Sequence, residues 1–305
     1  MQNNSNLIFG PVNSRRFGLS LGIDLSPNSK QCNFDCLYCE LKGAKTVAKQ
    51  SNPIDVDLYI AAVKKGMLKY PEIDVITLTA NGEPTLYPYL DELVDKLNNI
   101  KQNKKLLILT NGSLIYDEKI RTILYKIDMV KISMDCVSKE CFKKLDRLDN
   151  TIDSNQILEG LLIFADNHTK DMIIEVLFVD TINNKEQEIQ EIYTMLKRLN
   201  PTRVDIGTID RPPAYDVKPI DYEQLKNIAS KFEGLNISIA HKNKIALNKF
   251  LSQDEILNLL DKRPQTQDDI DNLLDTNSKQ LFEKLIQNHS ITTKIQAGVV
   301  FFTRV

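Results

Sequence analysis

Short runs of apolar residues alternate with amphipathic stretches along most of the chain. The apolar runs are nearly unbroken, which is typical of strands in a parallel sheet that is covered on both faces. The predicted strands occupy residues 19–25, 74–79, 106–109, 129–133, 172–179 and 203–208, with a short seventh at 237–240. Between them, apolar residues recur every three or four positions, as Val56, Tyr59 and Ile60 do, and this spacing predicts helices.

This alternation predicts an α/β fold made of right-handed βαβ units. Six such units, instead of the eight of a closed barrel, predict a partial (β/α)6 barrel of parallel strands over residues 1–240. The catalytic residues of such barrels lie where the strands end and the βα loops begin. Polar segments follow three predicted strands at that point: Asn81-Gly82-Glu83-Pro84, Thr110-Asn111-Gly112 and Asp135.

The pattern changes near residues 241–251, which we interpret as a linker. Beyond it lie three helical patterns, at 252–261, 266–274 and 277–288, and two strand-like runs, at 291–295 and 299–302. Three helices followed by a hairpin predict a small winged-helix-like domain over residues 252–305.

Composition narrows the class of protein. The chain has 305 residues and a net charge of −2, so no basic excess indicates a nucleic-acid partner. The first residues are polar and do not form a signal peptide, and no apolar run approaches the ~20 residues of a membrane span. We therefore expect a cytoplasmic protein with no membrane partner. Three of the five cysteines fall within residues 32–39, which favours metal binding over a disulfide framework.

Those three residues, Cys32, Cys36 and Cys39, form a C-x3-C-x2-C run directly after the first predicted strand. Three thiolates on a tight loop can hold three irons of a [4Fe–4S] cluster and leave the fourth iron free to chelate a small molecule. One electron from the cluster can then cleave the sulfonium bond of that molecule. A zinc site is an alternative that needs a fourth ligand from Cys136, Cys141 or a distant histidine, and buried structural thiols are another.

The cysteine run resembles the cluster loop of the radical S-adenosylmethionine (SAM) superfamily, in which an aromatic residue precedes the last cysteine, as Tyr38 does here. The resemblance extends over residues 8–240. It implies that Cys32, Cys36 and Cys39 are the metal ligands and the catalytic centre, with one [4Fe–4S] cluster and SAM as cofactors. It also implies a reductant such as flavodoxin or ferredoxin, and reductive cleavage of SAM to methionine and a 5′-deoxyadenosyl radical that abstracts hydrogen from a substrate.

The same resemblance implies cofactor contacts at the strand ends. Gly82 and Glu83 look like the superfamily's glycine–glutamate motif, which binds the amino group of SAM, although Asn81 replaces the usual first glycine. A carboxylate can pair with an ammonium group, and glycine permits close backbone approach. The alternatives are a plain turn for this segment, loop capping for Asn111 and a solvated charge for Arg147. The other implied contacts are Tyr38 with the adenine, and Asn111, Ser133, Asp135 and Arg147 with the ribose or the carboxylate.

Residues 10–18 and 210–214 narrow the resemblance to a branch similar to the tRNA wyosine-base synthases and, more distantly, to the molybdenum-cofactor cyclases. Their arginines, Arg15, Arg16 and Arg211, are candidates for binding an anionic substrate, with surface ion pairing as the alternative. The cyclases carry a second cysteine triad near the C-terminus, which this chain lacks, so we expect one cluster. An RNA base or a peptide is the expected substrate. The competing hypothesis is a non-catalytic iron–sulfur sensor with a winged-helix output.

Cys136 directly follows Asp135. A thiol there could donate a hydrogen atom to a substrate radical, but packing as a small hydrophobic residue is the favoured interpretation. Cys141 lies on a helical pattern and is predicted to pack.

The charges of the C-terminal domain argue against duplex DNA as a partner. Residues 250–305 carry six lysines and arginines against eight aspartates and glutamates, whereas duplex binding draws much of its affinity from neutralised phosphates. We expect this domain to serve protein contact, substrate presentation or barrel closure. We also expect its deletion to leave cluster assembly largely intact.

Overall fold

Eight strands form one sheet in which the order of the strands follows the order of the chain. The computed structural model describes residues 7–14, 16–239, 248–262, 264–296 and 299–305. The strands are β1 (Ile8–Ser14), β2 (Gly18–Asp24), β3 (Val75–Thr79), β4 (Lys105–Thr110), β5 (Met129–Ser133), β6 (Asp171–Phe178), β7 (Arg203–Thr208) and β8 (Ile237–Ile239). Strands β2 to β8 run parallel, and β1 pairs antiparallel with β2. The predicted α/β fold with a parallel sheet is thus confirmed.

Strand β1 was not predicted from the sequence pattern. Gly10 and Pro11 interrupt it, and both residue types are depleted from regular strands. Its pairing with β2 shifts register between Phe9 and Val12, so a bulge accommodates the interruption. Strand β8 is the short seventh strand of the prediction.

Helices connect the parallel strands in six crossovers, one for each predicted unit. They are α1 (Val56–Lys69), α2 (Leu90–Ile100), α3 (Glu118–Leu124), α4 (Lys139–Cys141), α5 (Ser154–Asn167), α6 (Glu186–Leu199) and α7 (Tyr222–Ser230), with α4 and α5 sharing one crossover. The side chains of Asp55, Asp117 and Asp153 each cap a helix by accepting a backbone N–H bond in its first turn. Within the described residues, β1 and β8 do not pair with each other, so the sheet is open.

The C-terminal part forms the predicted three helices and a small antiparallel sheet. Its elements are α8 (Gln253–Lys262), β9 (Gln265–Thr266), α9 (Gln267–Leu273), α10 (Thr276–Gln287), β10 (Ile291–Gln296) and β11 (Val299–Arg304). The sheet order is β10, β11, β9, where β9 is a two-residue strand that the pattern did not reveal. The division into residues 1–240 and 252–305 stays a prediction, and residues 241–247 of the linker lie outside the described residues.

The C-terminal part packs against the edge of the large sheet through α8. Asn258 Nδ2 donates a hydrogen bond to the carbonyl of Ile8 at 3.1 Å. Glu255 pairs with Lys69 at 2.5 Å and accepts a bond from the Tyr70 hydroxyl at 3.0 Å. Helix α8 therefore covers strand β1, whose outer edge would otherwise be exposed. In the part of the chain that the structure describes, no helix has the length and apolarity of a membrane span.

Candidate active site

A cavity of about 680 Å³ is lined by residues from all eight strands of the large sheet and from the loops that follow them. A volume of this size suits a small ligand. Eight of the predicted site residues line it: Cys32, Cys36, Tyr38, Cys39, Gly82, Glu83, Asn111 and Ser133. The other two, Asp135 and Arg147, lie outside the lining. The structure thus brings the cysteine run and the glycine–glutamate segment to one place.

The cysteine loop follows β2, and its three thiols are free and partly buried. Cys32 Sγ accepts a bond from the backbone N–H of Phe34 at 3.4 Å, and Cys39 Sγ lies 3.5 Å from Lys30 Nζ. Burial raises the pKa of the Cys32 thiol to about 12 and also raises the pKa values of Cys36 and Cys39. A metal centre would reverse this preference because its positive charge stabilises thiolates. The donor set, three sulfurs on one loop, fits three irons of a cubane cluster.

The backbone on both sides of Gly82 is hydrogen-bonded to the cysteine loop. The N–H of Gln31 donates to the carbonyl of Asn81 at 2.9 Å, and the N–H of Glu83 donates to the carbonyl of Gln31 at 3.0 Å. Gly82 has φ +142°, and a Cβ there would lie 1.8 Å from the Gln31 oxygen. Only glycine fits a backbone approach this close. The role of Gly82 is therefore to let two loops pair.

Residues 145–147 support the other side of the cysteine loop. The N–H of Asp35 donates to the carbonyl of Asp146 at 3.0 Å, and that of Leu37 to the carbonyl of Leu145 at 2.9 Å. Arg147 Nε donates to the Asp35 carbonyl at 2.7 Å, and its guanidinium pairs with the Asp35 carboxylate. Arg147 thus binds the loop from outside the cavity, which differs from the predicted direct contact with SAM.

Glu83 presents a buried, firmly held carboxylate. Its Oε1 accepts bonds from the Thr85 hydroxyl at 2.7 Å, the Thr85 N–H at 3.0 Å and the Thr110 hydroxyl at 2.6 Å. Its Oε2 accepts the N–H of Asn111 at 2.7 Å. Burial raises the pKa of the Glu83 carboxyl, and these bonds oppose the rise. A cation placed beside Glu83 would stabilise the ionised form further.

Asp135 reaches the cysteine loop through Tyr38. The Tyr38 hydroxyl donates to Asp135 Oδ2, and the N–H of Leu177 donates to Asp135 Oδ1 at 2.6 Å. Burial raises the pKa of the Asp135 carboxyl. Asp135 thus holds Tyr38 in place, and it lies outside the cavity lining. Asn111 and Ser133 do line it, and Asn111 Nδ2 also donates to Asn33 Oδ1 at 3.0 Å.

Cys136 and Cys141 are buried, as predicted, but they are joined by a disulfide bond. The prediction of two separately packed thiols is therefore wrong in this respect. Neither sulfur is a thiol that could donate a hydrogen atom or complete a zinc site. The neighbouring Glu188 carboxylate is engaged too, because it accepts bonds from the N–H of Val137 at 2.7 Å and the hydroxyl of Ser138 at 2.6 Å.

Two of the arginines that are candidates for binding an anion, Arg16 and Arg211, line the cavity, and each forms an ion pair with an acidic residue. Arg16 Nε lies 3.2 Å from Asp205 Oδ1, and an Arg211 nitrogen lies 3.5 Å from Glu40 Oε2. This arrangement fits the alternative of ion pairing within the protein. Arg15 lies outside the described residues.

Six charged residues of the cavity wall were not among the predicted site residues: Asp24, Glu40, Lys131, Glu175, Asp210 and Lys262. Lys131 Nζ lies 2.5 Å from Glu175 Oε1. Both interrupt apolar strand runs, and a charge inside a buried strand is a signal that could have revealed them. Asp24 ends β2 and Lys262 ends α8, and no local pattern connects two residues so far apart in the chain.

A profile of the radical SAM superfamily matches residues 29–196, more than half of the chain. The chain belongs to the radical SAM superfamily. It is an enzyme of that superfamily, and its cofactors are a [4Fe–4S] cluster and SAM. The matched segment includes the cysteine loop, the Gly82–Glu83 turn and the strand ends that carry Asn111 and Ser133.

Individual proteins and a solved structure are similar to this chain. A Helicobacter pylori protein named UPF0026 protein is 38% identical over 303 residues, 98% of each chain. A probable GTP 3′,8-cyclase from Methanococcus aeolicus is 32% identical over 130 residues, 41% of this chain and 40% of that one. The structure of a radical SAM methyltransferase from Sphaerobacter thermophilus has a TM-score of 0.57 at 13% identity and covers 72% of this chain and 65% of its own. The fold is thereby confirmed.

We predict that Gly82→Ala displaces the cysteine loop of this radical SAM enzyme, because a Cβ would collide with the Gln31 carbonyl. After anaerobic reconstitution, the variant should hold well under the ~4 irons per chain of one cubane. Gly207→Ala is the matched control, since Gly207 lines the same cavity and a Cβ there meets no atom within 4 Å. Iron and sulfide analysis is the measurement. Equal iron in both variants would show that the loop does not depend on Gly82.

Proposed function

We propose that the enzyme holds a single cluster on Cys32, Cys36 and Cys39, cleaves SAM reductively and abstracts hydrogen from a substrate in the same cavity. The observation that carries this proposal is that three free thiols line one cavity together with the Glu83 carboxylate. Three thiolates leave one iron of a cubane without a protein ligand. When bound, the cluster supplies the electron that breaks a carbon–sulfur bond of SAM.

Glu83 binds the amino group of SAM in this proposal. Thr85, Thr110 and Asn111 hold its carboxylate in one orientation, and Oε2, with one protein donor, keeps capacity for another. An ammonium group at Oε2 would offset the burial of the carboxylate. Asn111 and Ser133 contact the ribose or the carboxylate of SAM, and Tyr38 approaches the adenine.

Asp135 and Arg147 are positioning residues in this proposal. Asp135 orients Tyr38 by accepting a hydrogen bond from the Tyr38 hydroxyl, and Arg147 orients the cysteine loop through Asp35. Both act on the loop that carries the cluster ligands. Their replacement is therefore expected to disturb the cluster loop before it disturbs any contact with SAM.

The charges of the cavity favour a peptide over an RNA base as the substrate. Basic residues of the lining are balanced by acidic ones: Arg16, Lys131, Arg211 and Lys262 against Asp24, Glu40, Glu83, Glu175 and Asp210. An RNA strand would require a basic groove to neutralise its phosphates. The apolar part of the wall, which includes Phe9, Phe17 and Leu107, suits a side chain of a peptide.

The formation of 5′-deoxyadenosine from SAM tests this proposal. Reconstituted protein, dithionite and SAM should yield 5′-deoxyadenosine by mass spectrometry, and a peptide fraction should raise the yield more than a tRNA fraction. A larger rise with tRNA would overturn the peptide assignment. No 5′-deoxyadenosine under any condition would favour the non-catalytic sensor. Flavodoxin or ferredoxin would replace dithionite as the protein reductant.

Cys36→Ala should abolish the formation of 5′-deoxyadenosine because two thiolates cannot retain the cubane in its active form. The matched control replaces both Cys136 and Cys141 by Ala, which removes two buried cysteines outside the cavity. The control should retain ~4 irons per chain and the activity. Full activity of Cys36→Ala would rule out the assigned cluster ligands.

Glu83→Gln should weaken SAM binding roughly ten- to a hundredfold while leaving the iron content unchanged, since a charge-assisted hydrogen bond contributes ~1.5–3 kcal/mol. Equilibrium dialysis with labelled SAM measures the affinity. Glu175→Gln is the control, because Glu175 lines the same cavity and pairs with Lys131 instead. Unchanged SAM affinity of Glu83→Gln would leave Glu83 with a purely structural role in the turn.

A further inference from the structure

Helix α8 places one charged side chain of the C-terminal part in the wall of the active-site cavity. Lys262, the last residue of α8, lines this cavity, and its side chain is only 8% exposed. Its Nζ lies 2.5 Å from Asp24 Oδ2 and donates to the carbonyl of Pro27 at 3.4 Å. A buried ammonium group requires such partners because water does not solvate it.

Asp24 connects this ion pair to the cofactor site. Asp24 ends β2 and is 1% exposed. Its Oδ1 accepts the N–H of Ser26 at 3.0 Å and the N–H of Asn81 at 2.7 Å, and the Ser26 hydroxyl donates to the Asn81 carbonyl at 2.9 Å. Asn81 directly precedes Gly82 and Glu83. The carboxylate of Asp24 therefore holds the start of the turn that carries both residues.

Lys262 compensates the charge of that carboxylate from the C-terminal part. If the ammonium group of Lys262 were removed, Asp24 would be a buried anion without this partner, which is strongly unfavourable. Rearrangement of the wall to solvate the carboxylate would weaken the bonds from Asp24 to Ser26 and Asn81. The other ion pairs between the two parts, such as Lys69 with Glu255, lie on more exposed side chains and do not line the cavity.

We propose that Lys262 is a positioning residue for SAM binding. Its ammonium group forms an ion pair with the Asp24 carboxylate, and Asp24 in turn holds the Asn81-Gly82-Glu83 turn in the conformation that binds the amino group of SAM. The C-terminal part is thus a component of the active site, which is a more specific role than barrel closure. The inference rests on the proposed function in one respect, the assignment of Glu83 to the amino group.

Equilibrium dialysis with labelled SAM on the full-length reconstituted protein tests the proposal. Lys262→Met should weaken SAM binding about tenfold, as expected for a coupling in the usual range between neighbouring residues, and should keep ~4 irons per chain. Lys262→Arg, which keeps the charge, should recover most of the affinity. Glu255→Gln is the matched control, since it removes a more exposed ion pair of the same helix, and its SAM affinity should equal that of the wild type.

The double variant Asp24→Asn with Lys262→Met separates the positioning role from a direct contact. With Asp24 neutral, loss of the Lys262 charge should add less than twofold to the effect of Asp24→Asn alone, and this comparison remains valid if Lys262→Met alone folds poorly. A full tenfold addition would show that Lys262 contacts the cofactor itself and would overturn the proposal, as would wild-type affinity in Lys262→Met. Failure of the wild type to bind SAM would instead contradict the proposed function.

Discussion

The backbone pairing between Gln31 and Gly82 is the contact on which the site depends. It joins the loop after β2 to the turn after β3, with hydrogen bonds of 2.9 and 3.0 Å on the two sides. Parallel strands end at the same edge of a sheet, and this pairing lies beyond the last residues of β2 and β3, in a register that differs from that of the two strands. Cys32 and Glu83 are the immediate neighbours of the paired residues. The pairing therefore places the Cys32 thiol and the Glu83 carboxylate at one cavity through the backbone alone.

Buried carboxylates link neighbouring strand ends in the same direction around the sheet. Asp24 accepts the N–H of Asn81, Glu83 accepts that of Asn111, and Asp135 accepts that of Leu177. In each pair the acid comes from one strand or its loop, and the N–H comes from the next. A charged acceptor strengthens such a bond, and a buried carboxylate left without donors would be costly. The strand ends are thus held together by buried carboxylates, two of which, Asp24 and Glu83, also line the cavity.

Local sequence patterns were sufficient to predict much of this fold and part of the site. The cysteine spacing and the continuous apolar strands are properties of adjacent residues, and the sequence predicted the cluster loop, the parallel sheet and the C-terminal helices from them. Strand β1 was missed because Gly10 and Pro11 break its pattern. Arg147 and Asp135 were assigned to SAM, whereas their side chains bind Asp35 and Tyr38; side-chain direction depends on packing that the local sequence does not encode. The pairing of Lys262 with Asp24 joins opposite ends of the chain, so no local signal could predict it.

In the proposed function, a cluster on Cys32, Cys36 and Cys39 leaves one iron to bind the amino and carboxylate groups of SAM. Electron paramagnetic resonance of the reduced, reconstituted protein tests it most directly. Addition of SAM should change the spectrum of the cluster, and SAM labelled with ¹⁵N at its amino group should give a resolved hyperfine coupling by electron–nuclear double resonance. A spectrum that SAM leaves unchanged, with no coupling to the labelled nitrogen, would contradict the account.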